Sequence, residues 1–108
     1  MAGEFLARLE EIPDGGSVRR ELAGREVALF RRGAEVFALD AVCPHRRGPL
    51  DGPLEGDGYI TVCPWHGWTF DVRTGKSPTH PGQVACHRVT IDGNRVLVES
   101  TRGGGCAG

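Results

Sequence analysis

No stretch of this 108-residue chain comes near the ~20 apolar residues that a membrane-spanning helix needs. A membrane is therefore not expected among its partners. Charge of either sign is not in excess: 13 basic and 14 acidic residues leave a formal net charge of −1. That balance gives no basic surface on which to expect nucleic acid. Aromatics are few, with two Trp, one Tyr and four Phe, which argues against a heavily packed interior. The segment Met1 to Asp14 is mixed and charged and carries no apolar run of the signal-peptide kind. A reducing, cytoplasmic setting is expected. What is plentiful is punctuation: 17 Gly and seven Pro point to many turns in one small domain.

Two short clusters carry the chemistry, Cys43-Pro44-His45 and Cys63-Pro64-Trp65-His66. Each offers one thiolate and one imidazole, and 17 residues, Arg46 to Val62, separate them. Two Cys and two His, paired as Cys/His twice, make up the ligand set of a Rieske [2Fe-2S] centre, in which two Cys hold one iron and two His the other. Each loop must then reach both irons, so the loops must face each other across the cluster. The spacer is long enough to leave the first loop, run a strand and return as the second. Zinc also accepts Cys₂His₂, but its usual pairs are Cys-x(2–4)-Cys and His-x(3–5)-His. A site without metal would leave the cysteines as small buried hydrophobes. Ligand type and spacing favour one [2Fe-2S] cluster held by Cys43, His45, Cys63 and His66. With two ferric ions, two sulfides and two thiolates cancelling, the oxidised protein keeps its charge of −1, and one electron makes it more negative by one.

Cys43-x-His45 followed by Cys63-x-x-His66 resembles the Rieske family, most closely its small ferredoxin-type members. Residues Glu35 to Pro81 carry the likeness closely, with Gly67, Phe70, Asp71 and Gly75 also in place. The resemblance implies three stacked antiparallel sheets with a cluster-binding subdomain at about 43–81. High-potential relatives add a loop-bridging disulfide, a serine hydroxyl aimed at a bridging sulfide and a tyrosine hydroxyl aimed at a cysteine sulfur. The matching positions here are Gly48 with Trp65, Trp68 and Phe70, and none supplies the feature. A potential near the low end of the roughly −150 to +300 mV open to such centres is therefore expected.

The strand pattern independently supports a small antiparallel all-β domain over residues 1–100. Strands are expected at Glu4–Leu9 (a pattern also compatible with a helical turn), Ser17–Leu22, Arg25–Arg31, Glu35–Asp40, Tyr59–Val62, Trp68–Val72, Val84–Ile91 and Arg95–Glu99. Turns fall at Ala23-Gly24, Arg32-Gly33-Ala34, Arg73-Thr74-Gly75-Lys76 and Asp92-Gly93-Asn94. Residues 101–108 form a Gly-rich tail expected to be flexible. With two cysteines assigned as ligands, Cys86 and Cys106 are left over and no disulfide framework is expected. Cys86 and His87 are neighbours on a strand, face opposite sides and are read as structural.

The resemblance makes this chain a one-electron carrier with no catalytic turnover of its own. It would take electrons from a flavoprotein reductase and pass them to a terminal oxygenase. His45 and His66 would form the exit, each with a second ring nitrogen free to titrate. Arg46 and Arg47 would give that end a positive rim, and Ser77 to Pro81 would cover the cluster. His80 in that loop and Trp65 and Trp68 beside His66 are also candidates for tuning or partner contact. Free, the carrier would be a monomer. The alternative is the small subunit of an NAD(P)H-dependent nitrite reductase, held against its large subunit. The Rieske half of an oxygenase is not expected, because its catalytic iron needs two His and a carboxylate, and only His80 and His87 remain.

Overall fold

A computed structural model of the chain describes residues 4–22, 24–41, 54, 59–62, 69–75, 77, 84 and 86–99. Among them the elements run β1 (Glu4–Arg8), a 3-10 turn (Leu9–Glu11), β2 (Ser17–Leu22), β3 (Arg25–Arg32), β4 (Glu35–Asp40), β5 (Ile60–Val62), β6 (Thr69–Asp71), β7 (Cys86–Asp92) and β8 (Arg95–Glu99). The all-β expectation holds, and the strand limits agree to within about two residues. One difference lies at Leu9, which leaves β1 and opens the 3-10 turn. The Glu11 carboxylate accepts the Arg8 N–H at 2.9 Å, and Arg31 Nη1 donates to the carbonyls of Leu9 and Ile12. Those contacts satisfy the turn's polar backbone away from any ladder.

Six strands form one sheet in the order β1-β8-β7-β4-β3-β2, and β5-β6 form a separate hairpin. Every pairing is antiparallel. The six-stranded sheet is two three-stranded ribbons joined at one narrow place. Its β4–β7 ladder holds only the pairs Ala38↔His87 and Leu39↔Cys86, whereas β2–β3 and β3–β4 each run to six pairs. The two edge strands also approach each other. Arg20 of β2 donates from Nε to the Leu6 carbonyl of β1 at 3.1 Å.

Burial follows strand alternation. Val27 and Leu29 of β3 join Val36 and Ala38 of β4, Leu22, Ala7, Ile12, Val96 and Val98 in a core within the six-stranded sheet. The opposite face of the same strands, Ala28, Phe30 and Leu39, packs with Ala41, Phe70, Val72, Val84 and Cys86 in a second core. Strand β3 is therefore covered on both faces, which suits its unbroken apolar run Val27-Ala28-Leu29-Phe30. That second core mounts the β5–β6 hairpin on the sheet.

Cys86 and His87 do face opposite sides, one in each half of the interior, and both are buried. Their structural assignment stands with one correction. Cys86 is disulfide-bonded. Spacing along the chain could not reveal this, because a disulfide depends on two Cα atoms coming within about 7 Å in the fold.

Candidate metal centre

Cys43, His45, Cys63 and His66 lie outside the described residues, as do Arg46, Arg47, Trp65, Trp68, His80 and residues 101–108. The structure does describe the stems from which the ligand-bearing segments leave. The first segment follows Ala41, which is pinned at both of its peptide groups. Its N–H donates to the Glu26 carbonyl at 3.0 Å, and its carbonyl accepts from Arg19 Nη2 at 3.3 Å. Arg19 is itself held by an ion pair with Glu26.

The second segment, 63–68, is closed at its base by the antiparallel pair Val62↔Thr69. Both Cys63 and His66 thus belong to one hairpin connection of six residues. Thr61↔Phe70 and Ile60↔Asp71 extend the stem below it, and the Val72 N–H donates to the Tyr59 carbonyl at 2.8 Å. A third segment, 76–83 apart from Ser77, leaves Gly75 and returns at Val84, whose N–H donates to the Gly75 carbonyl at 2.8 Å. Ala41, Phe70, Val72 and Val84 all belong to the same hydrophobic core. The described residues that border these three segments therefore share one packed platform.

The platform is braced on its flank by Tyr59. Its hydroxyl donates to Glu35 Oε1 and accepts from Arg32 Nη1, both at 3.1 Å. The Arg32 and Arg73 guanidinium groups lie 4.5 and 4.1 Å from its ring centroid, and Phe37 meets it edge-on at 5.8 Å. Tyr59 thus couples β3 and β4 of the sheet to the hairpin through cation–π and hydrogen-bond contacts. Arg73 is also aligned by Asp71. Oδ1 accepts the Arg73 N–H at 2.8 Å and Nε at 3.0 Å, and Oδ2 accepts Nη2 at 2.7 Å. The Arg73 side-chain hydrogen bonds hold the Asp71 carboxyl below its ordinary range, outweighing partial burial, which acts the other way.

Two features escaped the sequence reading. The first is the hydrogen bond between Asp40 and His87, described below. The second is Thr61, fully buried, whose Oγ1 has no hydrogen-bond partner. Its only trace in the sequence is a hydroxyl within the short apolar strand Ile60-Thr61-Val62. Two Cys and two His make a donor set whose chemistry suits an iron–sulfur group.

A family model described as the Rieske [2Fe-2S] domain matches residues 4–99. The chain is 35% identical over 96 residues to the ferredoxin component of the naphthalene 1,2-dioxygenase/salicylate 5-hydroxylase systems of a Ralstonia species, covering 86% of this chain and 90% of that relative. Among solved structures it is similar to the ferredoxin of carbazole 1,9a-dioxygenase from Nocardioides aromaticivorans IC177, with TM-score 0.85 and 29% identity, over 94% of this chain and 100% of that one. A structure named for the NADH-dependent nitrite reductase small subunit of Mycobacterium tuberculosis aligns with TM-score 0.73 at 22% identity, over 91% and 95% of the two chains, a likeness of fold alone.

Proposed function

Because the chain belongs to the Rieske [2Fe-2S] family, carries one such cluster and is an electron carrier rather than a catalyst, we propose that it relays single electrons from a flavoprotein reductase to a terminal oxygenase. Cys43 and Cys63 hold one iron through sulfur, and His45 and His66 hold the other through one ring nitrogen each. When bound, the cluster supplies a reversible one-electron couple. The protein's part is to hold four donors on a stiff frame and to set their surroundings. The observation that carries the reading is the shared platform: Ala41, Phe70, Val72 and Val84 anchor both donor segments and the third loop in one core.

The ligand-bearing subdomain spans about 43–81 within a single domain of residues 1–100, with 101–108 as a tail. The second ring nitrogens of His45 and His66 would stay free to exchange protons with solvent. Arg46 and Arg47 favour an acidic partner surface, and contacts of a redox encounter are small and transient. The carrier works as a monomer in the cytoplasm, with no membrane or nucleic-acid partner. No helix among the described residues is long and apolar enough to cross a membrane. The relative's name, a ferredoxin component of dioxygenase and hydroxylase systems, favours this reading over a nitrite reductase small subunit.

The test is film voltammetry against pH on anaerobically prepared protein. A low potential, flat near neutrality and falling at alkaline pH, is expected from two histidine ligands. A high potential would overturn the inference from Gly48, Trp65, Trp68 and Phe70. A metal-loaded protein without a redox signal would remove the carrier reading itself. Permanent co-purification with a large subunit would favour the nitrite reductase assembly.

A further inference from the structure

Asp92 ends β7, and Gly93 begins the turn that the pair Asp92↔Arg95 closes. Both residues are exposed. Among the described residues, neither the Asp92 carboxylate nor the Gly93 N–H has a hydrogen-bond partner. Gly93 stands at φ +67° with open space where a Cβ would be. In an Asp-Gly pair the glycine nitrogen can attack the preceding side-chain carboxyl. Glycine puts no side chain in the way and leaves the peptide free to turn.

Asp14-Gly15 is the same dipeptide in a fastened setting. Asp14 Oδ1 accepts the Gly33 N–H at 2.8 Å. The Gly15 N–H, which would supply the attacking nitrogen, donates to the Arg31 carbonyl at 2.8 Å. The Gly15 carbonyl accepts from the Leu54 N–H at 2.9 Å. The fold thus holds one open and one locked copy of a single reactive unit. Asp51-Gly52 and Asp57-Gly58 lie outside the described residues.

We propose that Asp92-Gly93 is a modification site, at which the backbone isomerises to an isoaspartyl linkage. The Gly93 nitrogen attacks the Asp92 side-chain carboxyl carbon and a C–N bond forms. The amide proton and the carboxyl OH leave as water, giving a five-membered succinimide. Water then adds to either ring carbonyl. Opening at the α-carbonyl routes the main chain through the side-chain carbon and frees an α-carboxylate. Composition is unchanged and no oxidant or cofactor is consumed. The main chain gains one carbon at the last β7–β8 rung. That rung adjoins the Leu9 N–H bond to the Asn94 carbonyl at 2.7 Å and the Asn94 bond to Glu10 at 3.1 Å. Isomerisation therefore loosens the tie between the 3-10 turn and the β7–β8 hairpin.

The experiment ages the full, cluster-loaded chain at neutral pH and physiological temperature, beside the same chain in urea and a D92E variant. Peptide mapping with electron-transfer dissociation locates isoaspartate at each Asp-Gly pair. Methyl transfer from labelled S-adenosylmethionine by a purified isoaspartyl methyltransferase gives the total. In the folded protein isoaspartate should form at Asp92 about tenfold or more faster than at Asp14, where two hydrogen bonds must open first. In urea the two rates should converge. D92E should lose the signal at position 92, because a six-membered ring closes far more slowly. Equal folded rates at Asp14 and Asp92 would overturn the proposal. So would a folded rate at Asp92 held as far below its urea rate as that of Asp14. The parent protein alone decides between these outcomes, whether or not D92E folds.

Discussion

Asp40 and His87 meet across the narrowest part of the sheet, with Asp40 Oδ1 2.8 Å from His87 Nε2. The imidazole side chain is fully buried, and the carboxylate is only 22% exposed. They span the two-pair β4–β7 ladder that joins the ribbons. Asp40 also precedes Ala41, from which the first ligand segment departs. The side-chain bond therefore reinforces a junction that the backbone alone holds with few rungs.

Removing the carboxylate should weaken that junction. D40A leaves a buried ring nitrogen without this partner, at a cost of about 1–3 kcal/mol. D40N retains a side-chain partner for one tautomer and should cost less. Urea unfolding followed by far-UV circular dichroism measures both. Equal stability of D40A and the parent would mean that the contact contributes nothing net.

Gly75 closes the stem of the third segment at φ +79°. A Cβ built there would overlap the Val84 carbonyl oxygen, a backbone atom that cannot swing aside as a flexible side chain would. G75A should therefore cost about 1–3 kcal/mol in backbone strain alone, with more from the displaced strand entry at Val84. A lowered thermal midpoint and faster loss of cluster absorbance are expected. A G75A protein as stable as the parent would show that the stem tolerates rearrangement.

Asp71 gives a pH dependence of known sign. Its carboxyl is held below the ordinary range by Arg73, so the folded state favours the ionised form. Its contribution is fully present above the ordinary carboxylate pKa and disappears as pH falls through the lowered folded value. The stability difference between parent and D71N should be constant from pH 7 down to about pH 5 and then shrink. Paired melts at stepped pH isolate this effect, because acid effects shared by both proteins cancel. A difference that grows on acidification would reverse the assignment.

The parts of the molecule legible in its sequence are those governed by local chemistry. Asp92↔Arg95 closes the β7–β8 hairpin around Gly93-Asn94, where the turn residues had marked it. The β5–β6 pairing stands where the strand pattern on either side of residues 63–68 had marked it. What could not be read depends on approach in space. Asp40 and His87 are separated by 47 positions, and neither residue advertises the other. The Cys86 disulfide is hidden for the same reason. Thr61 looked like an ordinary strand residue, since threonine suits strands well. Only its complete burial beside an apolar partner makes its hydroxyl conspicuous.

The Arg20 bond to the Leu6 carbonyl has a consequence beyond this one molecule. Exposed edge strands can act as templates that recruit strands from other chains, a common start to aggregation. Here the edges β1 and β2 are drawn together by a bulky cationic side chain, which occupies a carbonyl that an incoming strand would need. The hydrogen bond thereby hinders strand addition at this border of the sheet.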